Sequence, residues 1–171
     1  MKKISFFLIL SKIVLGLTFL FSGFVKSVDV YGTTFKIVDY FHAFHLDIFQ
    51  PLSKLLAFGI VGFEFLLGIL IIIGIYAKVV SKLVISIVFF MMLLTLYIAL
   101  FNNVEDCGCF GDVLILSNWA TFFKNIVLLI FAFIFVIYHR LVIPLFSIKI
   151  RKYVLRYSFI YISGILLYSY I

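Results

Sequence analysis

The chain has 171 residues, of which 66% are apolar, 20% aromatic and 12% charged, with a formal charge of +7. A soluble domain averages about half apolar and about a quarter charged side chains, so a soluble fold of this size is excluded by the Phe, Ile and Leu it would have to hide. The basic excess does not point to nucleic acid, because the Lys and Arg residues sit mostly at the ends of apolar runs, where orientation in a bilayer places them.

A first span is expected from about Ile4 to Phe24. Met1-Lys2-Lys3 precedes it, but no small-x-small site with a polar mature sequence follows, so it reads as an uncleaved helix rather than a signal peptide. Lys12 lies inside this span near one end, from where its stem can run in lipid with the head at the interface. Ser22 and Gly23 allow a close helix contact or a turn at the membrane surface. The stretch 27–52 is more polar and carries Asp29, Lys36, Asp39, His42, His45 and Asp47. Apolar spacing over 35–49 predicts a short interfacial helix lying flat with Phe35, Val38, Phe41 and Phe44 towards lipid. Pro51 marks a break, and Ser53 is a reasonable cap for the next helix.

Span 2 is expected over about Leu55 to Tyr76. It holds Glu64, the one acid deep inside a span, where a carboxyl is costly unless protonated or paired. Gly59, Gly62, Gly68 and Gly74 let one or more faces of this helix accept a close neighbour. Lys78 and Lys82 bracket a very short turn before span 3, about Leu83 to Phe101. The clearest central polar interruption follows at 102–120. It holds both cysteines, one glycine apart, and Glu105, Asp106 and Asp112, three of the chain's seven acids. Ser117 or Asn118 caps span 4, Trp119 sits at headgroup level, and the apolar run reaches Tyr138 with Lys124 snorkelling outward.

The stretch 141–152 is mixed, with Pro144, Lys149, Arg151 and Lys152. Val154 to Ile171 is long enough for a fifth span and ends in apolar residues. Either the last helix is short, or the chain is the front part of something longer. The expected architecture is an all-α polytopic membrane protein: a four-helix transmembrane domain over 1–143, then a basic cytoplasmic loop and fifth transmembrane helix over 144–171.

The turns at 77–82 and 139–152 are basic and free of acid, as is the N-terminus. The alternating loops carry Asp29, Asp39 and Asp47, and Glu105, Asp106 and Asp112. The positive-inside bias therefore places the N-terminus in the cytoplasm and the cysteine loop outside, at the periplasmic face of a bacterial inner membrane. Disulfides persist there.

A disulfide places its alpha carbons about 5.5 Å apart. Closing one across a single residue is strained, and glycine best accepts the backbone angles required. A strained, exposed disulfide is readily reduced, so Cys107 and Cys109 are candidate catalytic residues in thiol redox exchange. A structural bond, unpaired thiols and half of a metal site are the alternatives; His42 and His45 are the nearest residues able to complete a Cys2His2 set. Asp106 would raise a neighbouring thiol's pKa, whereas Lys124 and the helix start near Ser117 would lower it. Glu64 reads either as a protonated carboxyl bonded to a Thr, a Tyr or a backbone carbonyl of a neighbouring helix, or as a proton- or quinone-linked group.

Leu15-Gly16-x-x-Phe19-x-x-Ser22-Gly23-x-x-Lys26, Glu64-x-x-x-Gly68, and Asp106-Cys107-Gly108-Cys109-Phe110-Gly111-Asp112 before Ser117-Asn118-Trp119 resemble the DoxX-like membrane proteins, in the branch related to the methylamine-utilisation protein MauE. The resemblance covers about residues 8–143. It implies a four-helix membrane bundle with its N-terminus inside and a role in periplasmic disulfide formation or in maturing a disulfide-rich partner. Some relatives are linked to quinone-dependent sulfur oxidation, and others continue into a thioredoxin-like domain. The family motif falls on Cys107 and Cys109, with Glu64 as a recurrent intramembrane acid.

The leading expectation is a membrane thiol-redox protein that exchanges with a periplasmic thiol or thioredoxin-like partner and passes electrons to a membrane quinone. The alternative is a non-catalytic scaffold or assembly factor whose disulfide pins the loop. A transporter comes last, for want of intramembrane polar residues beyond Glu64 and Lys12. Pairing of the cysteines across two chains of a homo-oligomer is left open.

Overall fold

The computed structural model describes residues 2–101, 104, 106–146 and 148–168. The inward side of α1 (Lys2–Val28) recurs every three or four residues at Leu8, Ser11, Leu15, Phe19, Ser22 and Lys26, all buried. Its opposite side, Phe6, Ile9, Ile13, Leu17, Phe21 and Phe24, is apolar and exposed. A helix apolar on every side over this length belongs in hydrocarbon.

The same logic builds α3 (Ser53–Ile73), α4 (Ala77–Phe101) and α5 (Asn118–Ile137). Four stretches are long and apolar enough to cross a membrane: Phe6–Val28, Asp47–Ile73, Ala77–Phe101 and Asn118–Ile137. The protein is an all-helical multi-pass membrane protein; among the described residues, the one strand-like segment is the short β1 (Cys109–Asp112).

Helices do not associate in lipid by hiding apolar surface, so close packing and hydrogen bonds must hold them. α1 and α3 run antiparallel and touch backbone to backbone. A Cβ on Gly23 would lie 2.6 Å from the Phe65 nitrogen, and one on Gly68 would lie 2.6 Å from the Leu20 nitrogen. α4 pairs along α5, where Asn125 Nδ2 donates to Thr95 Oγ1 at 3.2 Å. Contact between α3 and α4 is sparser, although a short turn joins them. That turn begins at Gly74, left-handed at φ +77°, and the Lys12 ammonium reaches it. A cation is favoured at that helix end.

The apolar core occupies one half of the bundle: Leu8, Leu15 and Phe19 of α1, Leu67 and Ile71 of α3, Val80, Val84 and Val88 of α4, and Leu128, Ala132 and Phe135 of α5. The buried stripe turns polar in the other half, towards the cysteine loop, at Ser22, Lys26 and Asn125.

Several boundaries differ from expectation. Lys78 and Lys82 lie in the first turns of α4 rather than around a turn, because Gly74 ends α3 earlier. Ser53 is the first residue of α3 and makes no capping bond, whereas Ser117 caps α5 by accepting from the Ala120 N–H. The predicted interfacial helix is α2 (Val30–Ala43), followed by a 3-10 turn at Asp47–Leu52. Its inner face is Val30, Thr33, Ile37 and Tyr40, and Phe35 is 67% exposed. The exposure of Phe35 and Phe44 agrees with their expected position towards lipid. In the expected fifth span, α6 (Ile148–Tyr168), Tyr161 packs against Phe65 with ring centroids 4.7 Å apart and the planes tilted by 30°. Its first half carries Lys149, Arg151, Lys152 and Arg156, and it is not among the four stretches named above.

Candidate functional site

Cys107 and Cys109 are bonded to each other, with alpha carbons 5.3 Å apart. Gly108 between them sits at φ +63°, a conformation a Cβ resists. Three helices hold this turn. From α2, Lys36 Nζ pairs with Asp106 Oδ2 at 2.5 Å and the Tyr40 hydroxyl donates to the Cys107 carbonyl at 3.0 Å. From α1, Ser22 Oγ lies 2.6 Å from the Cys109 carbonyl. From α5, Asn118 Nδ2 donates to the Val104 carbonyl at 3.1 Å. Burial, and then the Asp106 carboxylate, push the Tyr40 phenol above its usual range. Asn102, Asn103 and Glu105 lie outside the described residues.

Asp106 does not simply face the thiols. One of its oxygens takes Lys36 and the other accepts the Gly108 N–H at 2.7 Å. The loop is less open than expected: Cys107 is 8% exposed and Cys109 half-buried. One side of the pair backs onto a crevice with Leu114, Leu116 and Thr121 that is too tight for water. The other side forms part of the wall of a cavity of ≈ 270 Å³.

Glu64 lies in that cavity's wall. Its carboxylate oxygens are each 2.9 Å from Lys26 Nζ, and Oε2 is 2.8 Å from Ser22 Oγ. The partners are therefore a lysine and a serine, not the expected Thr, Tyr or backbone carbonyl. The structure brings Glu64 and both cysteines to one cavity, linked through Ser22. Lys124, expected to snorkel outward, instead turns inward and sits 4.3 Å from the centre of the Phe110 ring. Lipid offers it no acceptor on the way out, whereas the cavity offers a π-face.

The histidines do not join the cysteines. His42 Nδ1 lies 2.7 Å from Asp47 Oδ1 and its Nε2 lies 3.1 Å from Gln50. Among the described residues, no three His, Cys, Asp or Glu side chains converge as metal ligands.

The sequence offered Ser22 for a close helix contact and Lys26 only as part of a motif, and gave no role to Tyr40 or Asn125. The four-residue spacing of Ser22 and Lys26, the latter the one lysine near the end of span 1, was the available signal for a partner to Glu64.

No curated protein and no solved structure gives a significant match. The family model described as methylamine utilisation protein MauE matches residues 4–138, which covers all but the first two residues of α1, the whole of α2 to α5, the disulfide and the Lys26–Glu64 pair. The chain belongs to the MauE family of membrane proteins.

Proposed function

We propose that this protein is a membrane thiol-redox protein. In this reading Cys107 and Cys109 exchange with a thiol or thioredoxin-like partner outside the cytoplasm, and the electrons pass to a membrane quinone. The carrying observation is the position of the disulfide in the wall of a largely apolar cavity between the helices. A bond that only pins a loop has no need of that second side.

The residues present fit a quinone. Ile60, Ile87, Phe90, Met91 and Leu94 give an apolar wall, and polar groups cluster at the cysteine end. A quinone would supply two-electron oxidation there. The volume is slightly below the ~300–1,000 Å³ of common ligand sites, which suits a ring whose tail stays in lipid. Exposed Lys78, Lys82 and Arg140 at the opposite end of the bundle support an inner-membrane orientation with the N-terminus inside and the cysteine loop outside.

The test pairs two measurements on the full chain. A C107S/C109S variant is expected to lose partner oxidation in a disulfide-formation assay while retaining its expression level. Thiol trapping across a graded glutathione or dithiothreitol series is expected to give a reversible potential above about −220 mV, among catalytic exchangers. Full activity in the variant, or a bond that survives below about −300 mV, overturns the reading.

The second reading is a scaffold or assembly factor with a structural disulfide. It is favoured by the burial of Cys107 and by the Lys36, Tyr40 and Ser22 bonds that already hold the loop. It expects C107S/C109S to lower protein level without changing partner oxidation in the protein that remains.

A further inference from the structure

Five charged side chains meet beneath and beside the disulfide. Lys26 is matched by Glu64 at 2.9 Å and Lys36 by Asp106 at 2.5 Å. The fifth, Lys124, lines the cavity and has no carboxylate within ion-pair distance among the described residues. It sits over the Phe110 ring, 4.3 Å from its centre. Among the described residues, three ammonium groups thus face two carboxylates, which leaves one positive charge. An uncompensated ammonium in apolar surroundings is costly, and a ring π-face offsets only part of that cost. An oxygen acceptor from a ligand would complete the site.

Resting on the quinone reading above, we infer that Lys124 is the residue that engages the quinone: its ammonium donates a hydrogen bond to one ring oxygen and stabilises negative charge as that oxygen is reduced. Glu64, the residue the sequence offers for a quinone-linked role, is already held by Lys26 and Ser22. A carboxylate also cannot donate to a quinone oxygen.

The way in is lateral. Ile60 of α3 and Phe90 of α4 line the cavity and are also exposed, Phe90 at 59%. They lie on α3 and α4, whose mutual contact is much sparser than that of α1 with α3 or of α4 with α5. A lipid-borne ring with its tail in hydrocarbon can enter there without crossing the polar roof.

The chemistry balances. The two thiols of reduced Cys107 and Cys109 lose two protons and two electrons as their S–S bond forms, and both electrons and both protons end on the two oxygens of the quinone. Lys124 lends a proton to the nearer oxygen and recovers one from a thiol.

The experiment measures binding, not turnover. Full-length protein in nanodiscs of neutral lipid is titrated calorimetrically with a decyl-chain benzoquinone, for wild type, K124M and K124R. K124M keeps the length of the side chain without its charge, and its thermal midpoint reports on folding. A charge-assisted hydrogen bond predicts saturable wild-type binding that K124M weakens about tenfold or more, with K124R close to wild type. Equal binding by wild type and K124M overturns this inference and leaves the quinone reading standing. No saturable binding by wild type overturns both, while mixed-disulfide trapping still tests thiol exchange alone. If K124M instead loses a co-purified anionic phospholipid and keeps its quinone affinity, Lys124 is a lipid anchor and the inference fails.

Discussion

Lys26 Nζ lies 2.9 Å from both carboxylate oxygens of Glu64, with the two side chains only 8% and 14% exposed. Removing one partner of such a pair strands the other charge in a dry setting. E64L and K26M are each expected to destabilise the protein by about 3–5 kcal/mol, whereas a K26M/E64L double variant recovers most of that loss. Thermal unfolding in detergent, arranged as a double-mutant cycle, measures the coupling. Additive single effects would mean the two groups do not act together.

The α1–α3 contact makes a steric prediction. A methyl on Gly23 or Gly68 meets backbone at 2.6 Å, whereas one on Gly59 meets nothing within 4 Å. G23A and G68A are expected to cost about 1–3 kcal/mol through overpacking, and G59A to be neutral or to stabilise by up to about 1 kcal/mol through helix propensity. Unfolding midpoints of the three variants decide it.

Removing the hydroxyl of Ser117 uncaps α5, which begins directly after the cysteine loop. S117A is expected to cost about 1 kcal/mol, and S117D to retain most of the wild-type stability. Pulsed cysteine labelling after mild reduction would show whether the loop loosens along with the cap.

Tyr40 ties the loop to α2, and its phenol titrates above the unfolded value of 10.0. The folded state therefore holds the phenolic proton more tightly. Its contribution is fully present below pH 10 and is lost as pH rises from there towards the folded pKa. The stability difference between wild type and Y40F should be constant up to about pH 10 and shrink above it. A difference that changes between pH 6 and 9 would assign the effect to another group.

The membrane architecture was legible because it follows from composition and from the length of the apolar runs. Runs of about 20 apolar residues announce spanning helices, whereas packing alone decides that Leu8, Leu15 and Phe19 face inward and Phe6, Ile13 and Leu17 outward. The Ser117 cap and the need for glycine between the cysteines are equally local. Glu64 stood out as an isolated acid, but its partner lies 38 residues away on another helix. Lys124 shows the limit most clearly. Snorkelling outward and turning inward are both open to a lysine at that depth, and only the cavity beside α5 selects one. The lipid side of α2 was legible at Phe35 and Phe44, both exposed, but the bonds from Lys36 and Tyr40 to the cysteine turn were not, because their partners lie about 70 residues away in sequence.

Ser22 stands within 2.8 Å of a Glu64 oxygen and 2.6 Å of the Cys109 carbonyl, yet a hydroxyl carries a single hydrogen. The two acceptors compete for it. A Glu64 satisfied by Lys26 leaves that hydrogen free for Cys109 and tightens the turn; a Glu64 deprived of Lys26 claims it and releases the turn. An exchange of charge on α3 is thereby felt at the backbone of a cysteine 45 residues further along the chain, by the reorientation of one O–H bond and without displacing a helix.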